Sequence, residues 1–221
     1  ALTRWFKRDS TKANNLTLYP GKEKEFWLWL SSWALMLTKP SDLGYDDTGY
    51  ALPPMEINYH RLCMTHKDVE TEKDGQVKLL SDAAVGLKDA AKIKRESIDV
   101  RVQKMREIVE ANPNDNFILW HDLESERHAI KKALPEAVKV YGSQDYDLRE
   151  KRVIGFADGE FRLLATKKSL NGQGCNFQHH CHRAIFLGID YEFNDFIQAI
   201  HRIYRFMQTE KVIIDIIYVE E

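Results

Sequence analysis

From residue 117 onward the chain alternates short apolar runs with polar stretches of helical length. Phe117 to Trp120 reads Phe-Ile-Leu-Trp with no polar position, as a strand buried on both faces requires. Glu124 to Leu134 then predicts a helix, Ala137 to Tyr141 a strand ending at Gly142, Tyr146 to Phe156 a helix, and Phe161 to Ala165 a strand. A glycine-bearing loop with a short helix leads to a strand at Ala184 to Leu187. A helix at Asn194 to Met207 and a last strand at Val212 to Val219 follow. This alternation predicts an α/β fold: a doubly wound, mostly parallel sheet with helices on both faces. Ligands of such a sheet are expected at the carboxyl ends of its strands.

The pattern before residue 111 is different. Residues 1–20 are polar and mildly basic. Lys22 to Leu37 predicts a helix in which Phe26, Trp29, Trp33 and Leu37 recur at spacings of three and four, a face expected to pack a core. Lys39-Pro40 stops that helix. The acids of the following loop, Asp42, Asp46 and Asp47, lack the spacing of a calcium loop and read as turn residues. Glu56 to Leu62 predicts a strand. Residues 81–111 predict a helical zone with Ile98, Val102, Met105, Ile108 and Val109 on its apolar face. The expected division is residues 1–110 as a largely helical preamble and connecting segment, and residues 111–221 as the α/β core.

Composition narrows the class. With 32 basic and 34 acidic residues the net charge is −2, which argues against a free-standing strong DNA binder. A local basic excess between Arg127 and Lys168 remains compatible with nucleic acid. The three cysteines, Cys63, Cys175 and Cys181, make no even disulfide framework and point to reduced thiols. No apolar core of a signal peptide follows Ala1. The longest apolar run, from Phe26 to Leu37, is shorter than the ~20 residues of a bilayer span. A cytoplasmic protein that does not cross a membrane is the expectation.

Four stretches carry candidate chemistry. Leu163 to Gln178 places Thr166, Lys167, Lys168, Ser169, Asn171, Gly172 and Gly174 after a buried strand. Hydroxyls, amines and unhindered backbone N–H groups are what phosphate binding needs. In Gln198 to Gln208, the residues Gln198, Arg202 and Arg205 are four and three apart and would share one side of a helix. Guanidinium groups match phosphate oxygens bidentately, so a phosphate clamp competes here with ordinary surface ion pairing. The run Cys175 to Arg183 holds Cys175, His179, His180, Cys181 and His182. It lacks a Cys-x-x-Cys knuckle, and packing or surface histidines are expected rather than a metal site. His121 and Asp122 adjoin the Phe117 to Trp120 strand, but no Gly-x-Ser-x-Gly elbow accompanies them to make a triad. The chain also has no Gly-x-x-x-x-Gly-Lys-Ser/Thr loop, so any ATPase reading needs a partner lobe.

Order and spacing join these signals. The succession of Phe117 to Glu126, Val138 to Gly142, the Phe-x-x-Gly turn Phe156 to Gly159, the loop Gly172-Gln173-Gly174-Cys175-Asn176, and Gln198, Arg202, Arg205 and Gln208 resembles the carboxyl-terminal, RecA-like lobe of superfamily-two helicases of the Swi/Snf type. Leu52-Pro53-Pro54 is similar to the segment that enters this lobe in that family, and the tryptophan-rich preamble resembles helicase-like proteins of phages and mobile elements. Two positions depart from the pattern: Met207 stands where the family has Gly, and Phe177 where it has Leu.

The resemblance implies the second motor lobe of an ATP-dependent DNA helicase or translocase. Arg205 would be the arginine finger and Arg202 a γ-phosphate contact. Gln198, Gly174 and Asn176 would border the nucleotide, and Thr166, Lys168 and Asn171 would face the nucleic-acid backbone. ATP and Mg2+ would be shared with an upstream RecA-like lobe of the same polypeptide, DNA would be the partner, and the chain alone would not hydrolyse ATP. The alternatives are a non-catalytic nucleic-acid-binding or protein-interaction module built on a degenerate lobe, and a metal-dependent hydrolase using the Cys/His run.

Overall fold

The computed structural model describes residues 2–8, 16–62, 94–171, 174–188 and 193–219. They fall into two compact units, Ala1–Thr48 and Gly49–Glu221. The division between these units falls between Thr48 and Gly49. Residues 55–62, assigned above to the preamble, form an edge strand of the sheet. Cys63 and residues 81–93 of the predicted helical zone lie outside the described residues.

In the first unit, a helix α1 (Leu2–Trp5) runs into β1 (Phe6–Arg8), which pairs antiparallel with β2 (Leu16–Leu18). Helix α2 spans Glu23–Ser31. Trp5 is buried, with its ring centroid 6.2 Å from Phe26 and 6.0 Å from Trp29. The predicted stripe continues to Trp33, whose ring centroid lies 5.2 Å from that of Trp29, but Trp33 and Leu37 are exposed. The helix stops early because Ser31 and Ser32 donate their hydroxyls back to the carbonyls of Leu28 and Trp29, at 3.0 and 2.7 Å, a local alternative to continuing the ladder. Asp42 accepts from the backbone of Thr38 and Lys39, and Asp47 accepts from Ser41 N. These acids act as turn residues.

The second unit is a six-stranded, all-parallel sheet wound on both faces. Its elements are β3 (Met55–Leu62), α3 (Ile98–Ala111), β4 (Phe117–Trp120), α4 (Glu124–Ala133), β5 (Val138–Lys139), α5 (Tyr146–Ala157), β6 (Leu163–Thr166), α6 (Lys168–Asn171), β7 (Arg183–Leu187), α7 (Phe193–Ile200) and β8 (Val212–Val219). The strand order is β3-β8-β7-β4-β6-β5, every pair parallel. This is the doubly wound α/β class that the alternating pattern predicts. Ile118 and Trp120 face one layer with Phe156, Phe196 and Ile200, so α5 and α7 cover that side. Phe117 and Leu119 face the other with Val102, Met105, Val109 and Ile130, so α3 and α4 cover it. β4 and β7 are neighbours whose onward helices leave to opposite faces. The switch point, and the crevice it opens at the carboxyl ends, lies between them. No helix among the described residues is long and apolar enough to cross a membrane.

Helix α7 is shorter than predicted. It ends at Ile200, and residues 201–207 form successive turns. Arg202 N and Ile203 N bond the carbonyls three residues back, at 3.2 and 3.1 Å, while the carbonyl of Arg202 accepts Phe177 N at 3.0 Å. A tertiary donor takes the place of the next helical one.

Candidate functional site

Two guanidinium groups converge on one loop. Gly174 turns the chain after α6 with φ +77° and open space around its Cα, a conformation that glycine adopts without a Cβ penalty. Phe177, three residues on, is buried against Phe156 in an edge-to-face contact at 5.3 Å and anchors the loop. Between these two points, Cys175 O accepts Arg202 Nη1 at 3.1 Å and the Asn176 side-chain oxygen accepts Arg205 Nη1. Arg202 Nε donates to Gln198 O at 3.0 Å, so Gln198 serves through its backbone.

The charge state of this corner is unusual. Among the described residues neither Arg202 nor Arg205 has a carboxylate within ion-pair distance, and the acceptors they meet there are carbonyl and amide oxygens. Arg205 Nε is shielded from solvent with no hydrogen-bond partner among the described residues. Burial, and then the neighbouring Arg205 charge, lowers the Arg202 pKa from its ordinary value. Two like charges are thus held together by carbonyl and amide oxygens. Gln208 fixes the far end of the turn: its Nε2 donates to Cys181 O and Ile203 O, both at 3.0 Å, and its Oε1 accepts Glu210 N at 2.9 Å. Met207, in the position where the resemblance calls for Gly, has φ +71°.

The residues expected to face a nucleic-acid backbone point inward. Thr166 is fully buried, and its Oγ1 accepts Asn171 Nδ2 at 2.9 Å. Lys168 is 4% exposed and pairs with Asp122 at 2.8 Å. The three side chains therefore brace the turn that follows β6, and in this structure they do not present it to solvent. Lys167, half-buried and paired with Glu124 at 2.9 Å, is the lysine of this turn nearer the surface. Gly172, also singled out by the sequence, lies outside the described residues.

The polar cluster at the carboxyl end of β4 extends beyond His121 and Asp122 to Arg101 and Glu126. Arg101 is 2% exposed and donates to Glu126 at 2.8 Å, to Leu187 O at 2.7 Å and to Ser97 Oγ at 3.0 Å. Glu126 also accepts the N–H groups of Asp122 and Leu123, at 2.8 and 2.9 Å. Asp122 lies 2.5 Å from Lys94. Burial works to raise the Asp122 carboxyl, but the ammonium groups of Lys168 and Lys94 outweigh it and hold the pKa below the ordinary value. His121 is 1% exposed with both ring nitrogens unpartnered, and burial lowers its pKa to about 4. It is a neutral imidazole and makes no dyad with Asp122. A signal for Arg101 existed: it occupies the apolar face of α3, at helical spacing between Ile98 and Met105.

The remaining candidates disperse. Cys181 is buried with Sγ against Asn116 O and Arg183 O, and burial pushes its thiol up to about 12. His179 and His180 are exposed. Among the described residues, no three His, Cys, Asp or Glu side chains come together as a metal site. At the opposite end of the sheet, Arg183 bridges Asp115 at 2.9 Å and Asp215 at 3.4 Å, and Asp215 also meets His60 at 2.8 Å. An open groove of about 590 Å³ runs between α5 and residues 170, 171 and 174–177.

No protein-family model matches the chain, and no curated protein does. Several solved structures share its chain path. The C-terminal part of the Fun30 ATPase domain is 15% identical, with a TM-score of 0.49 over 55% of this chain and 41% of that one. A variant of Dbp5 from S. cerevisiae, bound to RNA and ADP–BeF3, is 14% identical, with a TM-score of 0.48 over 55% of this chain and 32% of that one. The C-terminal domain of the DEAD-box protein Dbp5 is 14% identical, with a TM-score of 0.47 over 55% of this chain and 71% of that one. The chain spans less than half the length of the first two, and at these identities the likeness says nothing of what it binds.

Proposed function

We propose that residues 49–219 form the second, RecA-like motor lobe of an ATP-dependent DNA helicase or translocase, in which Arg202 and Arg205 receive the phosphates of a nucleotide shared with an upstream lobe. The observation that carries this reading is the pair of guanidiniums on the 174–177 loop. Among the described residues neither meets a carboxylate, and one holds an N–H with no acceptor. Such a pair gains most from an anion with several oxygens.

The roles follow from the geometry. Arg205, held among the described residues by the Asn176 amide, can exchange that neutral acceptor for a phosphate oxygen. It is the candidate arginine finger, neutralising charge as it develops on the transferring phosphoryl group. Arg202, tied to Cys175 O and Gln198 O, is the more fixed contact. Gly174 leaves room for a ribose or phosphate beside the loop. When bound, ATP would supply the phosphoryl group that water accepts, and Mg2+ would offset the charge on its phosphates. This chain carries no Gly-x-x-x-x-Gly-Lys-Ser/Thr loop and contributes only its half of the site. Thr166, Lys168 and Asn171 would shape the nucleic-acid turn from within, leaving contact to its backbone amides and Lys167. Contact with phosphates and not bases suits movement along any sequence.

The test is DNA-stimulated ATP hydrolysis by this lobe joined to its upstream lobe in one polypeptide. Arg205→Ala should lower the rate by ~10³-fold or more while leaving the lobe folded. Unchanged turnover removes the finger assignment. Absence of any DNA-stimulated turnover in the intact polypeptide favours the non-catalytic module.

A further inference from the structure

We propose that Tyr50 and Phe206 form a stacking ledge for the base of the nucleotide whose phosphates reach Arg202 and Arg205; the proposal rests on the phosphate reading above. The two rings are stacked, with centroids 4.7 Å apart and planes 28° from parallel. Each is nevertheless about half in water, at 51% and 44% exposure. A stacked aromatic pair that serves only packing gains most by leaving solvent. This one keeps a π surface available.

The ledge is fixed from both sides. Pro54 O accepts Val212 N at 3.0 Å, and Met55 pairs in register with Val212, so the segment carrying Tyr50 is fastened to the start of β8. Gly49, at φ +82°, brings the backbone close enough that a Cβ there would lie 3.7 Å from the Phe206 ring. On the other side, the buried Gln208 amide anchors the turn two residues after Phe206. A surface held this way loses little entropy when something stacks on it.

Its neighbour in sequence decides the occupant. Phe206 directly follows Arg205, one of two cations without a carboxylate partner among the described residues. An aromatic ledge one residue from a guanidinium that meets no carboxylate among the described residues is complementary to a ligand that joins a planar base to an anionic chain, which is a nucleoside triphosphate. Stacking accepts any base, because every base has a π face. The ledge supplies affinity and position without reading the base edge.

The experiment is calorimetric titration of this lobe joined to its upstream lobe in one polypeptide, at low ionic strength and without Mg2+, with ATP, GTP and inorganic tripolyphosphate. ATP should bind about tenfold more tightly than tripolyphosphate, the increment expected from one stacked base, and GTP should match ATP within a few-fold. Phe206→Ala and Tyr50→Ala should each reduce ATP towards the tripolyphosphate level and leave tripolyphosphate unchanged, while Phe206→Trp should keep the increment. The unchanged polyanion affinity also shows that the variants are folded. Equal affinity of ATP and tripolyphosphate in the unmodified chain overturns the ledge alone. So does an ATP advantage that survives both alanine variants, or a gap above tenfold between ATP and GTP. Binding of neither ligand overturns the phosphate reading, and the ledge falls with it.

Discussion

Arg101 and Glu126 form an ion pair at 2.8 Å, with side-chain exposures of 2% and 0%. The pair ties α3 to the amino end of α4, and through Leu187 O it ties both to the carboxyl end of β7. It therefore sits beneath the switch point at which the sheet opens. Taking one partner away leaves a buried charge uncompensated, which costs about 3–5 kcal/mol. Glu126→Leu should lower urea stability by that order, and Arg101→Met likewise. The double variant should recover most of the loss. Double-variant loss equal to the sum of the single losses would mean that the pair is not coupled as its geometry shows.

His121 makes acid stability a second observable. Its folded pKa of about 4 lies below the ordinary 6.5 because burial disfavours the imidazolium. Between those values the unfolded chain binds a proton that the folded chain does not, so stability falls as pH drops from 6.5 towards 4. The slope approaches about 1.4 kcal/mol per pH unit, or ~3 kcal/mol over the window. Asp122, whose carboxyl is depressed, contributes loss only at lower pH still. Urea midpoints at pH 7 and pH 4.5 should differ clearly in the unmodified chain and by less in His121→Leu. A difference of equal size in both would assign the acid sensitivity elsewhere.

Met207 stores backbone strain just after the arginine turn. Its φ of +71° is the only positive value at a non-glycine residue among the described residues, and for a side chain with a Cβ that region costs ~1–2 kcal/mol. Glycine would remove the strain but gain freedom in the unfolded chain, worth ~0.4–1 kcal/mol. Met207→Gly is expected to be neutral to slightly stabilising, by up to ~1 kcal/mol in denaturant melts. Met207→Val, with its branched Cβ, should lose stability relative to both. Destabilisation on Met207→Gly would mean that the exposed methionine side chain makes a contact worth more than the strain.

Strands such as Phe117–Trp120 and Val212–Val219 are readable from their apolar runs because a parallel strand covered on both faces admits few polar positions. Their order in the sheet is not readable. β3 looks like any strand of an upstream segment until its pairing with β8 makes it part of the lobe. The convergence of Arg202 and Arg205 is foreshadowed by their spacing. The early end of α7 is not, because it depends on Phe177 N capturing the Arg202 carbonyl from a distant loop. Residue type also leaves side-chain direction open. Thr166, Lys168 and Asn171 are polar groups at the end of a buried strand, and they turn inward because Asp122 and one another offer partners there. Arg101 hides for the opposite reason, since a charge inside an apolar periodicity looks like an interruption of the face it completes.

The adjacent lysines Lys167 and Lys168 separate folding from nucleic-acid contact. The Lys168 ammonium is already spent on Asp122 within the fold, so it has little charge left for an outside phosphate. Lys167 is nearer the surface, and its partner Glu124 is more than half exposed, which makes that pair weak and easily exchanged. Lys168→Met should therefore lower the unfolding free energy by about 2 kcal/mol, given that Lys94 still faces Asp122. It should leave the salt dependence of single-stranded oligonucleotide binding unchanged. Lys167→Ala should do the reverse: stability holds, affinity falls evenly across sequences, and the slope of log K against log salt flattens by about 0.7, the loss of one phosphate contact. If Lys168→Met flattens the slope instead, the inward pairing gives way when nucleic acid binds, and Lys168 is the backbone contact after all.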